Sequence, residues 1–450
     1  MQTSTRNRVL LERSRHAVWH PCTQMKQHET LPLVPITRGE GCWLYDCDGR
    51  RYLDVVSSWW VNLFGHANPR INAALIDQLG KLEHVILAGF THEPVVQLSE
   101  RLSARTNGAL GHCFYGSDGA SATEIALKMS FHYWRNTGRP QKTQFLSLAN
   151  SYHGETLGAL SVTDVALFKD TYAPLLRQSA QVPSPDARLA PEGVDALAYA
   201  RQCAAALEAY LADHHDTLAA FIVEPIVQGA TGMAMYDPEY LRLARALCDR
   251  YGVHLVADEI MTGFGRTGTF FAHEQAGIRP DFLCLSKGIT GGYLPLSVVM
   301  TTDAVYAAFY DDAVTRGFLH SHSYTGNALA CRAALATLDI FDADDVIATN
   351  RANSERWRTV LDPLARHPRV RQFRTRGMIW AFEVETTEPN PARRLYTEGL
   401  ARELLLRPIG RTVYFMPPYV IDDAQMQMLV DRVGDMLDGL RPGEGAGGRS

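Results

Sequence analysis

The sequence lacks any run of about 18 uncharged apolar residues, the length a helix needs to cross a bilayer. No membrane-spanning segment is therefore predicted. It also lacks a cluster of lysines and arginines. Charged residues are 21% of the chain and the net charge is −5, so nucleic acid and anionic membrane are excluded as expected partners. There is no Cys-x-x-Cys pair and no His-Glu-x-x-His, which removes the common zinc and redox motifs. The nearest approach to a metal pair is His320-Ser321-His322, which reads as a loop feature, and no metal is expected. The eight cysteines (22, 42, 47, 113, 203, 248, 284, 331) are scattered and read as reduced thiols of a cytoplasmic protein. The N-terminal stretch has no apolar core long enough for a secretory signal, and Glu12 argues against a transit peptide. No internal repeat is present. Low complexity is confined to residues 441–450, RPGEGAGGRS, expected to be a disordered tail.

What is present is apolar material in quantity. The chain has 450 residues and 46% hydrophobic content, enough for two lobes, since single cores stop growing near roughly 250–300 residues. Residues 41–54 read as a β-hairpin with a type I′ turn at Asp48-Gly49. From about residue 110, short apolar strands alternate with amphipathic helices. The strands are HCFYG, TQFLSLA, AAFIVEP, HLVADEI, DFLCLS and LSVVMTT, and the helices include 120–136, 237–251 and 327–342. This alternation predicts an α/β domain with a mostly parallel central sheet. The later strands MIWAFEVE and TVYFMPPYV and a helix over 422–440 predict a smaller α+β domain built from both termini. The expected division is 1–65 for the N-terminal part of the small domain, 66–345 for the large domain and 346–440 for the rest of the small one.

Four segments look chemical. In DFLCLSKGITGG, Lys287 is a lone cation at the end of an apolar strand. It reads either as a lysine that snorkels out of the sheet or as one that bonds to an aldehyde. In HLVADEIMTGFGRTG, Asp258 closes a buried strand, as a partner for a pyridinium nitrogen, a metal ligand or a helix cap. The same segment holds Gly263-x-Gly265-x-x-Gly268, a dinucleotide fingerprint in the wrong setting, because neither a strand directly before nor a helix directly after is expected. In HCFYGSDGASATE, a strand runs into a helix start where Gly119 and Ala120 let a phosphate approach; an ordinary helix cap has the same look. In NSYHGET, Tyr152 either covers an aromatic cofactor or packs. Jointly these are the parts of a pyridoxal-phosphate site. A further oddity is Ser57-Ser58-Trp59-Trp60. Read as extended chain, it points its two indoles to opposite faces, leaving one without a core.

VADEIMTGFGRTG, followed by Lys287, resembles the signature of the class III aminotransferases, which have fold type I among pyridoxal-phosphate enzymes. The resemblance runs from about residue 17 to 440. It implies that Lys287 bonds to the cofactor and shuttles the proton, that Asp258 pairs with the pyridine nitrogen, and that Ile260 and Tyr152 cover the two ring faces. It implies phosphate contacts from the backbone of Gly119 and Ala120. HSHSYTGN (320–327), with His322 and with Ser323 where the family usually has threonine, resembles the loop that reaches the neighbouring subunit's phosphate. A homodimer with shared active sites is thus implied.

Within the class, WHPCTQM, SSWW, EPIVQGATGM and RPIGRTVYFMPPY are similar to the branch that aminates 8-amino-7-oxononanoate with S-adenosylmethionine as donor in biotin synthesis. That likeness implies substrate contacts from Trp59, Ser321 and Arg407, the last holding a carboxylate bidentately. Cys22 stands where some members have a substrate-contacting tyrosine, and Glu155 where aspartate also occurs. Ala230 replaces the glutamate that lets ornithine- and GABA-type relatives use glutamate, so glutamate is not the expected donor.

Overall fold

The computed structural model describes residues 5–31 and 33–441, so nearly all of the expected disordered tail lies outside the described residues. The chain divides into two compact units. One comprises residues 70–351 and 375–378, the other 1–69, 352–374 and 379–450.

The first unit is an α/β structure around a seven-stranded sheet. Its strand order is His112–Gly116, Ser297–Thr301, Phe282–Leu285, His254–Asp258, Leu218–Val223, Gln144–Leu148, Ala180–Val182. Only Ser297–Thr301 runs against its neighbours; the others share one direction. The central strands are buried at every residue, as expected of a parallel sheet covered on both faces. This explains why they read as continuous apolar runs and not as alternating ones. The helix Gly119–Asn136 lays Ile125, Ala126, Met129 and Trp134 on the sheet against Ile222, Val256, Phe282 and Val299. Trp134 is anchored there by its indole N–H, which donates to the Ala219 carbonyl (2.9 Å). Helix Pro238–Tyr251 starts where predicted, with Asp237 capping and Pro238 in the first turn, and stops at Gly252 in the left-handed region. Among the described residues no helix is long and apolar enough to cross a membrane.

The second unit holds a four-stranded sheet of Ile36–Glu40, Trp43–Asp46, Arg51–Asp54 and Leu404–Leu405, the last pairing parallel with Arg51–Asp54. Ile379–Val384 pairs antiparallel with Thr412–Phe415. Trp357 and Trp380 meet edge-on at 6.0 Å in its core. Asp423–Asp438 closes the unit, begun by a capping box between Asp422 and Gln425.

Two local expectations are corrected here. The hairpin turn is not type I′, which needs positive φ at two successive residues. Only Gly49 is left-handed (φ 80°), and the Asp46 carboxylate accepts from the N–H groups of Asp48 and Arg50, both at 2.9 Å. The longer loop is therefore shaped by an aspartate, not by an Asp-Gly dipeptide alone. The second correction is larger. Ser57–Trp60 is not extended; it is a single left-handed turn, with φ of 51°, 47°, 72° and 73° at four consecutive non-glycine residues.

Candidate active site

In open α/β sheets, ligands bind beyond the carboxyl ends of the strands, and at that end of the sheet the first unit places Asp258, Glu224 and Lys287. Asp258 ends the strand His254–Asp258 and is 4% exposed. One carboxylate oxygen accepts the Ile260 N–H at 3.1 Å. The other meets Nδ1 of His153 at 2.6 Å, while the His153 Nε2 is buried without a hydrogen-bond partner. Glu224 follows the strand Leu218–Val223 and is also buried. It accepts the N–H groups of Tyr152 (3.0 Å) and Gly229 (2.9 Å). Lys287 lies just past Phe282–Leu285, opens a short 3-10 turn, and sits at φ 47°.

Burial sets the electrostatics. It pulls the Lys287 ammonium down to about 8, against the opposing pull of Asp258 and Glu224. It pushes the Glu224 carboxyl up to about 7, partly offset by His153 and reinforced by Asp258. A lysine with that acidity is a substantially neutral amine at slightly alkaline pH, which is the nucleophilic form.

The helix Gly119–Asn136 starts at the same end of the sheet. Its cap, Asp118, accepts the Ser121 N–H (2.8 Å), and the first N–H groups of a helix have no acceptor within it. A Cβ on Gly119 would stand 2.9 Å from Ile260, and one on Gly154 (φ 118°) would stand 2.7 Å from the Ala120 methyl. The helix start is thus wedged between the segment after Asp258 and the loop carrying Tyr152 and His153. Tyr152 donates its hydroxyl to Glu155 (2.9 Å) and meets Phe168 edge-on. His322 reaches Ser117 at 2.9 Å, beside the helix start; His320 is turned to Lys128 (2.8 Å), so the two histidines have separate partners. Ser323 and Ser321 are exposed, and the Ser323 carbonyl pairs with His84. The glycines after Asp258 serve tight turns: Gly265 and Gly268 have φ of 88° and 102°, and the next element along the chain is the 3-10 turn Ala272–Ala276.

The remaining candidates belong to the second unit. The Arg407 guanidinium lies over the Trp59 ring, 4.5 Å from its centre. Trp60 turns inward and donates its indole N–H to the Tyr414 hydroxyl (3.1 Å). Cys22 is exposed, at φ 53°. The left-handed turn that parts the two tryptophans is costly, by roughly 1–2 kcal/mol per residue. Side chains hold it: Ser57 Oγ donates to the Met416 carbonyl (2.7 Å), and Ser58 gives both its N–H (2.9 Å) and its Oγ (2.6 Å) to Asp54.

Residues 24–437 match the family model described as aminotransferase class III. The chain belongs to the class III aminotransferases. It is 46% identical over 434 residues to the adenosylmethionine-8-amino-7-oxononanoate aminotransferase of Helicobacter pylori, covering 95% of this chain and 97% of that one. The solved structure of the adenosylmethionine-8-amino-7-oxononanoate aminotransferase of Methanocaldococcus jannaschii superposes with a TM-score of 0.89 at 34% identity, over 96% of this chain and 99% of that one. An amine transaminase from an uncultivated Pseudomonas species, solved in its PLP-bound form, gives 0.89 at 31% identity, over 94% and 99% of the two chains. The fold is that of the class III transaminases, and the cofactor of this aminotransferase is pyridoxal phosphate.

The first unit fits that cofactor. A lysine with a lowered pKa, a buried carboxylate whose partner is a histidine, and a helix start packed through Gly119 against Ile260 lie at one end of the sheet, and their chemistry suits its aldehyde, ring nitrogen and phosphate. Sequence reasoning passed over two residues of this set. Glu224 carried the same signal as Asp258, an acid closing an apolar strand. His153 carried none, since only the fold brings it to Asp258.

Proposed function

We propose that this aminotransferase converts 8-amino-7-oxononanoate to 7,8-diaminononanoate with S-adenosylmethionine as amino donor, the reaction that names its relatives. The observation that carries the reading is the Arg407 guanidinium lying over the Trp59 ring, 4.5 Å from its centre. An exposed apolar ring under a guanidinium suits an acceptor that is a long aliphatic chain ending in a carboxylate. Ala230, where glutamate-using relatives carry an acid, agrees with a donor other than glutamate.

Pyridoxal phosphate supplies an aldehyde that takes up the amino group and a ring that draws electron density from the reacting carbon. The chain does the rest. Lys287 would hold the cofactor through Nζ and would carry a proton to and from the reacting carbon. Asp258 would pair with the ring nitrogen and keep it protonated, with His153 orienting Asp258. Ile260 and Tyr152 enclose the ring, while the N–H groups of Gly119 and Ala120 bind phosphate. Arg407 and Trp59 take the carboxylate and chain of the acceptor, with Ser321 and Cys22 as further substrate contacts. His322 and Ser323 contribute to phosphate binding in a homodimer whose two sites are shared.

A second reading comes from the likeness to amine transaminases: an ω-amino substrate with a small keto acid. A donor and acceptor panel separates the two. Turnover of 8-amino-7-oxononanoate with S-adenosylmethionine is expected; turnover of pyruvate with amines, and none of the oxononanoate, overturns the first reading.

A further inference from the structure

We propose that Asp54 and Ser58 are positioning residues for the carboxylate end of the substrate. They hold Trp59 in its left-handed turn, and Trp59 in turn fixes the plane of Arg407. This rests on the reading of Arg407 as the carboxylate site.

Serine and tryptophan have no intrinsic preference for positive φ, yet both Ser58 (47°) and Trp59 (72°) adopt it. Glycine or asparagine would take this conformation at little cost; here a side-chain clamp replaces them. Asp54 is fully buried. It receives the Ser58 N–H on one oxygen (2.9 Å) and the Ser58 hydroxyl on the other (2.6 Å), and the second oxygen also meets Nε2 of His66 at 3.0 Å. On the far side of the turn, Trp60 is locked inward by Tyr414. Trp59 alone stays 43% exposed, its ring beneath the Arg407 guanidinium. A guanidinium stacked on an aromatic face still offers its N–H edge to a planar anion. If the turn relaxes, the ring swings away and that edge loses its fixed direction.

The test uses the holoenzyme, with 8-amino-7-oxononanoate and its methyl ester as paired acceptors. Ser58→Ala keeps the strain and removes the hydroxyl clamp; Asp54→Asn weakens both contacts. Each is expected to raise KM for the acid roughly 5- to 20-fold, less than the full loss of a hydrogen bond to a charged group because the clamp acts on the substrate only through Trp59 and Arg407. The KM for the ester, which loses only the chain contact of Trp59, rises at least about threefold less than that for the acid, and kcat and the cofactor spectrum stay within about twofold. Ser58→Gly, which needs no clamp at this φ, should recover most of the acid KM. If Ser58→Ala leaves the acid KM unchanged, or moves acid and ester together, the positioning role is wrong. Arg407→Ala tells the two levels apart. If it fails to separate acid from ester, the carboxylate reading falls and the positioning role with it; if it separates them and Ser58→Ala does not, only the positioning role falls.

Discussion

The region around Asp258 and the Trp59 turn solve the same problem, holding side chains at fixed angles, by opposite means. Around Asp258, Glu224 and Lys287 the angle comes from regular strands, each carrying one charged residue at or just past its carboxyl end. Around Trp59 there is no regular element. Four residues stand in a backbone region that side chains disfavour, held by Asp54, Met416 and Tyr414. The first design tolerates substitution near it as long as the sheet survives. The second concentrates its dependence on a few hydrogen bonds.

The largest effect should come from the strand-end side. Lys287→Ala is expected to lower single-turnover transamination by at least about 10³-fold, the upper part of the range for general acid–base groups, while the protein still folds. Asp258→Asn should cost roughly 10²- to 10³-fold in kcat through a less protonated ring nitrogen; a loss below tenfold would show that His153 or Glu224 can substitute for it. On the other side, Arg407→Lys keeps the charge but loses the planar guanidinium over Trp59 and its bidentate edge. Its expected signature is roughly a 10- to 50-fold rise in acceptor KM with little change in kcat. An equal fall in kcat would erase the contrast between the two regions. The smallest effect is on pH. Burial lowers Lys287 from 10.5 to about 8, so its neutral, reactive fraction grows as pH rises. The rate at which apoprotein captures pyridoxal phosphate should increase roughly fivefold between pH 7 and pH 8 and level off above 9. A rate still climbing tenfold per unit at pH 9 would mean that Lys287 is not desolvated.

The strand-end region was largely legible beforehand because its signal is compositional: an apolar run broken by one charge. The runs HLVAD and FLCL are strands; Asp258 closes the first, and Lys287 lies just past the carboxyl end of the second. Glu224 shows the same signal left unread, while His153 had no signal because its partner is 105 residues away. Ser57–Trp60 was misread for a physical reason. Left-handed turns are normally announced by glycine, asparagine or aspartate, and here none of the four residues is one of these. The nearest clue was Asp54, an acid whose purpose depends on a geometry that propensities argue against. The Asp48-Gly49 turn failed in the other direction, since a familiar dipeptide hid the stronger influence of Asp46.

The pairing of Leu404–Leu405 with Arg51–Asp54 has a consequence for how the protein is made. Arg51 and its partner Glu403 are 352 residues apart in the chain. At about 5–20 residues per second of synthesis, the edge of Arg51–Asp54 waits roughly 20–70 s for the strand that covers it. During that interval the seven-stranded sheet can be completed, whereas the unit that carries Trp59 and Arg407 cannot. The nascent chain therefore holds an open strand edge in a unit that cannot yet bring Arg407 to Trp59, and this is the stage at which a chaperone would have most to protect.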